Sequence, residues 1–125
     1  MNQKMEHFED LPIWQKARQL SNAVYDLFEK GPGAKDFGFK DQIQRAAVSI
    51  MNNIAEGFER ETNNDFAKFL TYAKGSSGEV RSMFYLAEDR GYISPESAAE
   101  QRDFAREISR GISALAKHLR ATSQP

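Results

Sequence analysis

The chain has no cysteine among its 125 residues. That excludes a disulfide framework, a thiolate nucleophile, a Cys-based zinc site and an iron–sulfur cluster. Histidine is nearly as scarce, with only His7 and His118. A di-metal carboxylate centre in a helical bundle needs two Glu-x-x-His pairs, and neither histidine follows a Glu by three residues. There is no G-x-S-x-G elbow, no Walker loop and no G-x-G-x-x-G. Long apolar runs are also missing. Nothing approaches the ~20 residues that span a bilayer, and the mean hydropathy is -0.66. The stretch Met1-Asn2-Gln3-Lys4-Met5-Glu6-His7 lacks the apolar core of a signal peptide. The expectations are a cytoplasmic chain with no membrane partner, no catalytic residue, no cofactor and no metal ligand. An excess of charge of one sign is absent too: 17 Lys+Arg stand against 18 Asp+Glu, a net charge of -1. This argues against a strongly basic, nucleic-acid-coating protein and leaves room for a local basic patch.

What is present is enough for one ordinary core. Hydrophobic residues make up 40% and charged ones 28%, which is too apolar for disorder. Three breaks divide the chain: Gly31-Pro32-Gly33 followed by Asp36 and Gly38, then Glu61-Thr62-Asn63-Asn64, then Gly91-Tyr92-Ile93-Ser94-Pro95. The spacing predicts helices over residues 10–30, 39–60, 63–90 and 95–120, between tails at 1–9 and 121–125. Their apolar stripes step by three and four. The first reads Ile13, Ala17, Leu20, Val24, Leu27, widened by Trp14 and Phe28. The second reads Ile43, Ala47, Ile50, Ile54. In the third, Phe66, Ala73, Val80 and Ala87 repeat every seven, with Phe69/Leu70 and Met83/Phe84 between. The fourth reads Ala105, Ile108, Ile112, Leu115, Leu119. A period near 3.5 keeps one stripe on its neighbours, so the fold class is all-α, an antiparallel up-down four-helix bundle. Thr62 through Asp65 and Ser94-Pro95-Glu96 read as helix starts, and Gly31 and Gly91 as left-handed C-terminal caps.

Gly75-Ser76-Ser77-Gly78 alone looks like a linker, yet the heptad phase runs straight through it. We therefore expect an unbroken helix. Each interior glycine costs about 1 kcal/mol relative to Ala. Close approach by another helix is the expected compensation, with Ala46, Ala47 and Ser49 as the facing small residues.

The richest polar constellation joins Arg45, Asn53, Glu56 and Arg60 to Glu79 of the next helix. Asn53, Glu56 and Arg60 share a face by their 3, 4 spacing. Two readings apply: a ligand or acid/base site, or an inter-helix network in which Arg45 or Arg60 pairs with Glu79 to fix register. Basic and acidic residues alternate along the middle helices. The segment from Arg110 to Arg120 holds Arg110, Lys117, His118 and Arg120 with no acid, which suits either the helix dipole or a phosphate. Tyr72, Tyr85, Phe58 and Phe104 fall off the seams and point to subunit contact.

Several of these stretches together resemble the 23S rRNA intervening-sequence protein family, also called the four-helix bundle protein family. They are residues 10–17 (Asp10-Leu11-Pro12-Ile13-Trp14-Gln15-Lys16-Ala17), 42–50, 53–60 (Asn53-Ile54-Ala55-Glu56-Gly57-Phe58-Glu59-Arg60), 66–70, 73–79 and 91–94. Met51-Asn52 stands where the family often has Pro-Ser, which implies a straighter second helix, and Lys40 stands where Thr is common. The resemblance implies a homopentamer of bundles, and a likeness to the basic, nucleic-acid-binding accessory protein of diversity-generating retroelements. It carries no catalytic residue. The functional expectation is a non-enzymatic oligomeric adaptor that contacts structured RNA or a nucleoprotein partner. Lys40, Arg45, Arg60, Lys68, Lys74 and Arg81 are the candidate contacts. The rival expectation is a purely structural or protein-binding oligomer.

Overall fold

A computed structural model describes residues 5–122. Among them are four α-helices, two short 3-10 turns and no strand. Helix α1 spans Pro12–Leu27, α2 Phe37–Phe58, α3 Asn63–Asp89 and α4 Pro95–Thr122. Each start has a local cause. Pro12 opens α1, where its missing N–H costs nothing. The Asp36 carboxylate accepts from the Phe39 amide at 3.2 Å and caps α2. Thr62 accepts from the Asp65 amide at 3.1 Å, and Ser94 from the Ser97 amide at 3.1 Å.

The ends differ more from expectation. Helix α1 stops at Leu27, three residues short of the expected end, and Gly31 (φ 85°, ψ -169°) leads into a 3-10 turn, Pro32–Lys35. Gly31 is therefore not a left-handed C-cap. Gly91 is one: with φ 71°, its amide reaches the Glu88 carbonyl and the Tyr92 amide reaches that of Ala87, the paired bonds of a Schellman ending. Part of the expected N-terminal tail is ordered, because Phe8–Asp10 form a turn that sets Phe8 edge-on to Trp14 at 5.2 Å. Residues 1–4 and 123–125 of the expected tails lie outside the described residues.

The stripes meet in one core. Ala17, Leu20, Val24, Ile43, Ala47, Ile50, Ile54, Ala73, Val80, Ala87, Ala105 and Ile108 are fully enclosed. Phe28 and Phe84 join them. Each such large side chain contributes about 1.5–3 kcal/mol through its transfer out of water. Phe66, Leu115 and Leu27 sit at the margin of the core, while Ala67 and Ala116 are buried. Neighbouring helices run antiparallel. Ser49 meets Ser76 across α2–α3, Ser77 meets Ser109 across α3–α4, and Lys16 meets Glu107 across α1–α4.

Helix α3 is continuous through Gly75-Ser76-Ser77-Gly78, as its phase demands. The expected role of its glycines does not hold. A Cβ at Gly75 or Gly78 would meet nothing within 4 Å. The serines make the crossings instead. Ser76 and Ser49 share a hydrogen bond at 2.9 Å; Ser77 donates to the Ala105 carbonyl at 2.9 Å and accepts from Ser109 at 2.8 Å. Close backbone approach occurs elsewhere. A Cβ at Gly57 would stand 2.7 Å from the Phe69 Cβ, and one at Gly111 would stand 2.7 Å from Ile13 Cγ2.

Candidate nucleic-acid interface

The expected inter-helix pairing of Arg45 or Arg60 with Glu79 is absent, because each arginine meets the carboxylate four residues before it instead. Arg45 Nε lies 2.8 Å from Asp41, and Arg60 Nη2 lies 3.2 Å from Glu56. The Asp41 carboxylate raises the Arg45 pKa, first by their hydrogen bond and then by charge. Arg60 also covers the Phe69 ring, with its guanidinium carbon 4.6 Å from the centroid. Glu79 instead accepts a hydrogen bond from Gln42, which does tie α2 to α3. Asn53 donates to the Ser49 carbonyl and hydroxyl at 2.9 and 3.0 Å. The motif is thus an α2 face of i, i+4 pairs with two links to α3, bordering an open groove of about 540 Å³ beside Tyr25.

The six candidate nucleic-acid contacts do not form one site. Arg45 is paired on α2, Arg60 is paired with Glu56 from just past the helix end, and Lys40 stands in its first turn. Lys68 belongs to the solvent face of α3, in step with Tyr72, Gly75, Glu79, Ser82 and Leu86. Lys74 and Arg81 lie on the flank of α3 that borders α4. This flank also carries Thr71, Gly78 and Tyr85, spaced 3, 4, 3, 4.

The facing flank of α4 answers with Arg102, Arg106, Ser113, Lys117 and Arg120. Three contacts fix the register. Arg102 lies 2.9 Å from Glu88 with its guanidinium carbon 4.0 Å from the Tyr85 centroid, Ser109 reaches Ser77, and Arg120 donates to Thr71 Oγ1 at 2.9 Å. Leu70, Thr71, Lys74, Ile112, Ser113, Ala116 and Arg120 enclose a notch of about 390 Å³ with no carboxylate in its lining. Arg102 and Arg106 are balanced by Glu88 and Asp103. Lys74, Arg81, Lys117 and Arg120 have no ion-pair partner among the described residues.

Sequence reasoning found Lys74 and Arg81 and noted the acid-free C-terminal run. It missed Arg102 and Arg106, and it did not join α3 to α4. The available signal was the matching pitch of the two rows, seven residues from Lys74 to Arg81 and from Arg106 to Ser113 to Arg120. Of the off-seam aromatics, Tyr72 and Tyr85 are half-exposed. Phe58 and Phe104 pack against the core instead, and Phe58 meets Phe66 edge-on at 5.9 Å.

The family model described as "23S rRNA-intervening sequence protein" matches residues 9–114. The chain belongs to the 23S rRNA-intervening sequence protein family. A solved structure from Bacteroides thetaiotaomicron, described as a protein of unknown function from the S23 ribosomal protein family, superimposes with a TM-score of 0.77 at 22% identity. The match covers 84% of this chain and 98% of that one, and it shows a shared fold. No curated protein matches the chain. Within this intervening-sequence protein, no described helix is long and apolar enough to cross a membrane.

Proposed function

We propose that the chain is a non-enzymatic oligomeric adaptor that contacts structured RNA or a nucleoprotein partner. The observation that supports it most is the α3–α4 groove, where cations without carboxylate partners stand in line with a half-exposed tyrosine. Phosphates draw such rows through release of counterions, and exposed aromatics accept bases. The family description, which ties these proteins to an rRNA insertion, is consistent with this reading. Gel shifts with rRNA fragments at about 50 mM and about 200 mM salt test it. A shift at the lower concentration that weakens at the higher is expected, and equal failure at both refutes it.

Self-association is the second half of the proposal, and the expected stoichiometry is a pentamer. The solvent face of α3 supports it. Tyr72 and Leu86 are half-exposed there, and Gly75 between them has open space where a side chain would be. A mid-helix glycine costs about 1 kcal/mol, and among the described residues nothing stands close enough to its Cβ position to account for it. Cyclic symmetry would repeat the basic groove once per subunit, adding avidity to weak single contacts. The same face also favours the rival reading, an oligomer that only binds protein. Light scattering after size exclusion, with the 260/280 nm absorbance ratio of the peak, separates the two. Assembly with co-purified nucleic acid supports the adaptor, and assembly with neither RNA in the peak nor a gel shift supports the rival.

A further inference from the structure

Resting on that reading, we infer that the α3–α4 groove takes a single-stranded RNA segment, a loop or an end, with phosphates along Lys74, Arg81, Lys117 and Arg120 and a base stacked at Tyr85.

The cations run in single file. From Thr71 to Tyr85 is fourteen residues, about 21 Å at the helical rise, and Lys74, Arg81 and the aromatic follow each other along that line. Duplex RNA is met differently, by contacts that straddle successive minor grooves and read shape and hydroxyls. A base paired within a duplex has no free face, whereas Tyr85 is 51% exposed as a residue, with Arg102 4.0 Å over one face of its ring. A tyrosine with a guanidinium beside it inside a basic groove is the platform on which unpaired bases stack. The floor between Lys74 and Arg81 is Gly78, with nothing within 4 Å of the place a Cβ would occupy. A sugar-phosphate chain can therefore lie against the helix backbone at that point.

The charge count sets the salt dependence. Arg102 and Arg106 are already neutralised by Glu88 and Asp103, which leaves Lys74, Arg81, Lys117 and Arg120 for phosphates. Four contacts to a single strand give a slope of about -3 in log K against log salt.

Fluorescence anisotropy of the full chain with two labelled RNAs tests this, one an oligouridylate of about a dozen nucleotides and the other a duplex of the same length. The single strand binds more tightly, with the slope above. Lys74→Gln flattens that slope by about 0.7. Tyr85→Ala weakens binding at least about fivefold, while Tyr85→Phe keeps it. Lys40→Gln and Lys68→Gln, the same charge change away from the groove, leave binding in place. Thermal melts of each variant establish that it folds. Preference for the duplex, an unaffected Tyr85→Ala, or a Lys68→Gln loss equal to that of Lys74→Gln overturns the inference while the RNA reading stands. If neither RNA binds at about 50 mM salt, and rRNA fragments do not either, the RNA reading falls and this inference with it.

Discussion

Two glycines of the same sequence type should respond in opposite directions to the same methyl group. At Gly57 a Cβ would stand 2.7 Å from the Phe69 Cβ, 3.0 Å from Phe66 Cδ1 and 3.2 Å from the Phe66 carbonyl oxygen. The first and last of these atoms are fixed to the α3 backbone, so relief requires the two helices to part. Overpacking of this kind costs about 1–3 kcal/mol, against only a fraction of the about 1 kcal/mol that Ala gains in a helix interior, because Gly57 is the penultimate residue of α2. We expect Gly57→Ala to destabilise by about 1–2 kcal/mol. With an unfolding entropy near 2.1 cal/mol/K per residue, this corresponds to a fall of about 4–8 °C in Tm. Gly75→Ala meets open space and keeps only the propensity gain, about 1 kcal/mol and a rise of about 4 °C. Urea titrations followed by far-UV circular dichroism, run at protein concentrations low enough to hold the chain monomeric, read both. A Gly57→Ala variant as stable as wild type would refute the close α2–α3 approach. A loss of monomer stability in Gly75→Ala would refute the open face.

Three further outcomes follow from the hydrogen bonds. The Asp36 carboxyl is held below its ordinary range, first by the Tyr92 hydroxyl at 2.6 Å and then by the Phe39 amide, with Arg90 assisting and burial opposing. A depressed folded pKa supplies stability above the unfolded carboxylate value and loses it as pH falls through the folded one. Tyr92→Phe should therefore shrink the loss of stability on acidification, read by thermal melts at neutral pH and about pH 3. The same bond raises the Tyr92 pKa, so its contribution is complete below the ordinary tyrosine value and is lost as pH climbs through the raised one. Ser77→Ala should cost about 1–3 kcal/mol by leaving the buried Ser109 hydroxyl without its acceptor, Ser109→Ala should cost less because Ser77 keeps its bond to the Ala105 carbonyl, and the double variant should cost clearly less than their sum; additivity in a denaturant double-mutant cycle would contradict the shared bond. Thr62→Ala should lower stability by about 0.5–2 kcal/mol through loss of the α3 cap, and an unchanged urea midpoint would show the cap to be idle.

The core was legible because burial in a helix has a period, and Ile43, Ala47, Ile50 and Ile54 obey it residue by residue. The starts of the helices were legible because capping is local: Thr62 and Ser94 act within three residues. The polar motif was only half legible. Spacing puts Asn53, Glu56 and Arg60 on one face, but it does not say whether an arginine turns to its own helix or across to Glu79. A carboxylate four residues away is the nearer partner, and it prevailed at both Arg45 and Arg60. The glycines of Gly75-Ser76-Ser77-Gly78 misled for a related reason. Small residues on a helix are signs of close packing only when they face a neighbour, and here one serine faces α2, the other faces α4, and Gly75 faces outward. The basic groove was the least legible feature. It depends on how far α3 and α4 are rotated towards each other, and a one-dimensional count averages its charge with that of every other surface.

That averaging conceals an electric dipole. The groove's six cations and the two carboxylates paired with them leave eleven cations and sixteen acids for the rest of the chain. A molecule of net charge -1 is thus a positive seam on a negative body. An approaching polyanion would feel repulsion from most directions and a torque that turns the α3–α4 side towards it. Encounter would be selective in orientation before any base is touched. Two copies would repel across their acidic surfaces unless the approach were made through a face without net charge, such as the one on which Lys68 and Glu79 balance beside Tyr72, Gly75 and Leu86.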